Sequence, residues 1–85
     1  MNFQARIQVT LKSGVSDPQG AAIVRALAML GFDEVTDVRA GKYLELRLTA
    51  QDEVTARQRV TAMCETLLAN PVIERYEFTL MKEQE

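Results

Sequence analysis

The chain has no histidine, no tryptophan and a single cysteine among its 85 residues. Without histidine it lacks the usual general base and the usual ligand of a catalytic metal. One cysteine cannot close an internal disulfide. That residue, Cys64, falls on the apolar stripe of a helix, where an inert, buried thiol is the ordinary reading. A nucleophilic cysteine needs exposure and nearby positive charge. Ser13 and Ser16 have no base placed beside them by sequence, and the carboxylates are scattered with no spacing that argues for a catalytic pair. Lys12-Ser13-Gly14 is too short and wrongly ordered for a phosphate-cradling loop. No catalytic residue, cofactor site or metal site is therefore expected in this chain.

Long hydrophobic runs are also absent, and a membrane-spanning helix needs about 20 apolar residues. The ten Lys and Arg and twelve Asp and Glu are interspersed and leave a net charge of −2. Nucleic acid and anionic membranes both require a concentrated basic surface, so neither is an expected partner. The N-terminus enters an alternating polar pattern at once, which gives no signal-peptide core. These readings together place the chain in the reducing cytoplasm.

What is present is an apolar fraction of 47%, enough to fold. The length suits one domain, residues 1–85, with 82–85 as a frayed polar tail. So short a chain buries a modest core, which favours oligomerisation or a permanent partner.

Phe3, Ala5, Ile7, Val9 and Leu11 alternate with polar residues, a strand with one buried face. Asp17-Pro18-Gln19-Gly20 then opens a helix. Pro18 keeps Asp17 out of helical geometry, so Asp17 is the cap and Pro18 the first helical residue. Gly31 ends this helix in a left-handed position, with Phe32 placed to touch Leu27. Gly20, Ile23, Leu27 and Leu30 share one face, expected to pack on the core.

Glu34 to Arg39 reads as a short second strand. Ala40-Gly41-Lys42 turns it into a third, where Leu44, Leu46 and Leu48 alternate with Tyr43, Glu45 and Arg47. A second helix starts at the cap Asp52 and carries Ala56, Val60, Met63, Cys64 and Leu67 inward. Asn70-Pro71 ends it. Tyr76, Phe78 and Leu80 mark a fourth strand. The order β-α-β-β-α-β predicts an α+β, ferredoxin-like domain: a four-stranded antiparallel sheet with both helices on one face. The expected core is Ile7, Val9, Ile23, Leu27, Leu46, Val60, Leu67 and Phe78. Gln4, Arg6, Gln8, Thr10, Glu45 and Arg47 should form the wet face. Arg39, Gly41, Lys42 and Tyr43 cluster at the expected hairpin tip. Arg and Tyr are enriched at interface anchors, which makes this tip the candidate partner contact.

The chain resembles the PurS family, the small subunit of phosphoribosylformylglycinamidine synthase. The resemblance is carried by Asp17-Pro18-Gln19-Gly20, Ala26-Leu27 with Leu30-Gly31, Val38-Arg39 with Gly41-Lys42, Glu45, Ala56-Arg57, and Leu68-Ala69-Asn70-Pro71-Val72-Ile73-Glu74. The start of the second helix, Gln51-Asp52-Glu53-Val54-Thr55, is less acidic than is usual in the family. The resemblance implies a role in de novo purine synthesis. That complex converts formylglycinamide ribonucleotide, ATP and glutamine to formylglycinamidine ribonucleotide, ADP, phosphate and glutamate. A separate glutaminase subunit makes ammonia, and a large amidoligase subunit binds ATP with magnesium. The small subunit, a homodimer or dimer of dimers, bridges the two and assists ammonia transfer. The alternative from another class is an ACT-like module binding an amino acid at a dimer interface. A stand-alone enzyme of the acylphosphatase type would want an arginine in the loop after the first strand, and residues 13–16 contain none.

Overall fold

The alternating first segment becomes a long strand, β1 (Asn2–Leu11), and it is the centre of the molecule. The computed structural model describes residues 1–83. β1 is followed by helix α1 (Pro18–Met29), strand β2 (Gly41–Thr49), helix α2 (Glu53–Met63), a wide π-type turn (Cys64–Leu68) and strand β3 (Glu74–Glu83). β2 and β3 flank β1, both antiparallel, in the order β2-β1-β3. Ile7 lies between Leu44 and Phe78, and Ala5 between Leu46 and Leu80. Because period two sends alternate side chains to opposite faces, this register gathers every inward apolar residue on one side. Phe3, Ala5, Ile7 and Val9 are fully buried there. α2 covers them with Val60, joined by Cys64 of the π-turn and by Ala69. The opposite face is polar, as its pattern predicts. Gln4 donates to Glu45 at 3.1 Å, and Arg75 donates to Thr10 at 3.2 Å.

Four expectations need correction. Residues 34–39 form no strand among the described residues, so the sheet has three strands and no hairpin precedes β2. Val35 and Val38 do not alternate, so that stretch has no apolar face to lay on the core. The order is still that of a βαββαβ domain with the place beside β2 vacated. Second, Leu67 is 81% exposed rather than core. The π-turn closes with the Ala69 amide donating to the Cys64 carbonyl at 3.0 Å. The wider turn spends one extra residue, which puts Leu68 and Ala69 against the core in place of Leu67. Third, Ile23 is 38% exposed and Leu27 only half-buried, and neither belongs to the core cluster. Fourth, Lys82 and Glu83 are not tail: they pair with Phe3 and Asn2. Residues 84 and 85 lie outside the described residues. Ile7, Val9 and Val60 are core as expected, with Leu46 and Phe78 half-buried against them.

Both helix starts are built as their sequences predict. The Asp17 carboxylate accepts from the Gly20 amide at 2.9 Å, and the Asp52 carboxylate accepts from the Thr55 amide at 2.7 Å. The end of α1 is a Schellman turn. Phe32 donates to Leu27 at 2.9 Å, Gly31 to Ala28 at 3.1 Å, and Gly31 has φ 96°.

The molecule is a slab of 51 × 29 × 14 Å. Its radius of gyration is 16.6 Å, against about 12 Å for a compact chain of this length. The reason is α1, whose sole buried residue is Gly20.

Candidate functional site

The motifs singled out in sequence converge on one pole of the slab. The loop after β1, the start of α1, the segment entering β2 and the turn entering β3 all meet there. Asp17 is the hub. One carboxylate oxygen takes the Gly20 amide and the other takes the Ala40 amide at 2.8 Å. These two hydrogen bonds, with the Arg39 charge beside them, hold the Asp17 carboxyl below its ordinary value and outweigh its partial burial. Gly20 packs so closely on the crossing chain that a Cβ there would run into the Val38 carbonyl oxygen. The helical glycine is thus explained by close backbone approach within the chain.

Arg39 donates to the carbonyls of Lys12 at 2.9 Å and Val15 at 2.8 Å. Lys42 donates to the Leu68 carbonyl at 3.0 Å, at the end of the π-turn. Lys12 donates to the Pro71 carbonyl at 2.6 Å. Asn70 closes its own turn: its side chain accepts from Val72 at 3.1 Å, and its amide donates to Glu74 at 2.7 Å. Pro71 follows the helix terminus, where its missing amide costs nothing. Gln19 lies exposed on the first turn of α1.

The expected tip cluster is therefore split. Arg39 and Lys42 point their donors into the chain's own carbonyls. Gly41 is the first residue of β2, not a turn residue, and a Cβ on it would strike the Val9 carbonyl oxygen. Tyr43 stands on the open sheet face, half-exposed, opposite Gln8. With Arg6, Glu77 and Thr79 it lines a shallow groove of about 440 Å³. Sequence reasoning missed Lys12 as a member of the pole. Its signal was weak: it is simply the polar residue that ends the alternation of β1.

Burial raises the Cys64 thiol, with Glu65 adding to the effect, so its thiolate is disfavoured. Among the described residues no three His, Cys, Asp or Glu side chains come together as a metal site would require. No helix of the described residues is long and apolar enough to cross a membrane.

The comparisons with known proteins agree with one another. The family model described as PurS, phosphoribosylformylglycinamidine (FGAM) synthase, matches residues 4–82. The PurS subunit of Synechocystis is 51% identical over 79 residues, covering 93% of this chain and 79% of the relative. That of Bacillus subtilis is 45% identical over 76 residues, covering 89% of each. Among solved structures, Thermus thermophilus PurS superposes with a TM-score of 0.86 at 39% identity, over 99% of this chain and 100% of the other. A chain of the PurLQS structure from Thermotoga maritima gives 0.87 at 36% identity, over 95% and 99%. The match decides for the synthase subunit over the amino-acid-binding module, and this chain belongs to the PurS family of phosphoribosylformylglycinamidine synthase subunits.

Proposed function

We propose that this chain is the non-catalytic small subunit of a cytoplasmic phosphoribosylformylglycinamidine synthase. In this reading it bridges a glutaminase subunit and an ATP-dependent amidoligase subunit and assists ammonia transfer between them. It works as a homodimer or dimer of dimers. ATP, magnesium and glutamine are handled by the partners. The observation that carries the reading is the near-full-length match to a chain of the PurLQS structure from Thermotoga maritima, a protein whose name describes an assembly of several subunits. The chain's own chemistry supports a bridging role. Its one thiol is buried with a raised pKa, and its conspicuous motifs are spent on fixing backbone at one pole.

The partner contact is proposed where β2 leaves this pole, with Tyr43 on the open sheet face as the exposed anchor and Arg39, Gly41 and Lys42 fixing the chain that leads to it. Reconstitution tests the reading. Glutaminase and amidoligase subunits, mixed with ATP, magnesium, glutamine and formylglycinamide ribonucleotide, should show glutamine-dependent synthesis that rises when this chain is titrated in. Full glutamine-dependent activity without the chain would overturn it. Tyr43→Ala should shift the titration midpoint at least about tenfold if this is the contact. An unshifted midpoint would place the contact elsewhere.

A further inference from the structure

We propose that the hollow beside the loop after β1 is a binding site for inorganic phosphate, held by the guanidinium groups of Arg39 and Arg75 and selected by the Asp37 carboxylate. The proposal goes beyond the bridging reading above and does not rest on it.

The hollow lies where β1 gives way to its loop, bounded by the segment before β2 and the start of β3. Thr10, Ser13, Asp37, Arg39 and Arg75 line it, around a volume of about 270 Å³. Pockets for drug-sized ligands begin near about 300 Å³, so this one suits a smaller guest. Arg39 spends only Nη2, on the Lys12 and Val15 carbonyls at 2.9 and 2.8 Å. Arg75 spends only Nε, on the Thr10 hydroxyl at 3.2 Å. Among the described residues, Nε and Nη1 of Arg39 and both Nη atoms of Arg75 have no hydrogen-bond partner. Neither arginine forms an ion pair there. The bonds already made restrict both side chains, so less conformational freedom remains to be lost on binding.

The lining identifies the guest. Two permanently charged forks and the Ser13 hydroxyl are brought together from three separate segments. A single guanidinium fork suffices for a planar carboxylate, whereas two forks and a hydroxyl suit the tetrahedrally placed oxygens of phosphate. Asp37 then decides between oxyanions. Its carboxylate lines the same hollow and has no hydrogen bond or ion pair among the described residues. When ionised it can only accept a hydrogen bond. It repels an anion that has no proton to offer and bonds to one that has. Inorganic phosphate keeps at least one proton at neutral pH. Sulfate keeps none, and a phosphate monoester is mostly dianionic. Two positive charges and one free acceptor therefore fit hydrogen phosphate.

An amide NMR titration of the purified full chain with sodium phosphate tests this, at constant ionic strength because salt screens exposed charges. Signals around Ser13, Asp37, Arg39 and Arg75 should shift saturably. Sulfate and ribose 5-phosphate should bind the wild type at least about tenfold more weakly than phosphate. Arg75→Gln should weaken phosphate binding at least about tenfold with an unchanged circular dichroism spectrum. Arg59→Gln, the same loss of charge on the exposed side of α2, should leave it unchanged. Asp37→Asn should narrow the gap between phosphate and sulfate. Ser13→Ala, at an exposed loop position, is the second weakening variant should Arg75→Gln fail to fold. No saturable shift up to about 10 mM phosphate would overturn the site. So would an unaltered titration in the folded variant, or equal weakening by Arg59→Gln, which would mean diffuse attraction to positive charge. Equal binding of sulfate by the wild type would overturn hydrogen phosphate as the ligand.

Discussion

The two helices are nearly equal in length and each is capped by an aspartate, yet they are opposite in character. α2 keeps Ala56 and Val60 for the sheet and shows charge to solvent. Its Arg57 pairs with Glu53 at 3.1 Å and lies over the Phe78 ring at 5.8 Å. α1 is the more apolar of the two and the less buried. A helix pattern records the surroundings in which the sequence works. For α2 those surroundings are supplied by the chain itself, whereas α1 buries only Gly20 against it.

The sharpest way to break this contrast is to truncate one residue on each side of it. Ile7→Ala, in the core under α2, should cost about 2–5 kcal/mol. Leu27→Ala, half-buried on α1, should cost clearly less. Urea denaturation measures both. Equal losses would mean that Leu27 is core as fully as Ile7.

Gly20→Ala comes next. The added methyl meets the Val38 carbonyl oxygen, so either backbone shifts or α1 lifts. A cost of about 1–3 kcal/mol is expected for such overpacking. Because the sheet and α2 do not depend on Gly20, amide exchange should speed up in α1 and stay slow in β1. Uniform acceleration would show that the pole holds the whole fold and not α1 alone.

The smallest effect is acid-dependent. The Asp17 carboxyl is depressed in the folded chain, so its contribution is complete above the ordinary carboxylate value near 4. It is lost as pH falls through the depressed value below that. Asp17→Asn retains a capping oxygen but has no charge to titrate. Its stability should be modestly lower at neutral pH and converge on wild type at low pH. Parallel pH profiles would remove the carboxylate from the account.

Much of the fold was legible because β1, β2 and β3 alternate cleanly and both caps are local chemistry. Asp17-Pro18 and Asp52 specify their helices within three residues. The failures came where a tertiary choice overrode a local pattern. Leu67 follows the 3.6-residue period, but the π-turn inserts a residue and rotates it out. Val35 and Val38 resemble strand residues in composition, but Asp17 claims the Ala40 amide and Arg39 reaches for the loop after β1. The pole was half legible. Asp17, Gly20 and Asn70-Pro71 stand out by turn chemistry, whereas the carbonyls that Arg39, Lys12 and Lys42 bind are backbone and leave no mark in sequence.

The position of β1 has a consequence for synthesis. It precedes both of its sheet partners in the chain, and neither of its edges can be satisfied by what immediately follows. β2 arrives about 40 residues later and β3 about 70 later. At 5–20 residues per second, Ile7 and Val9 wait roughly 3–15 s for the strand that closes over their second side. Pairings so distant in sequence also carry a large loop-closure cost and fold slowly. The nascent chain therefore keeps one edge of an apolar, β-prone segment unpaired until β3 is made. A chain stopped before Glu74 would keep one edge of β1 permanently open, a template for pairing with other chains rather than a smaller version of the same domain.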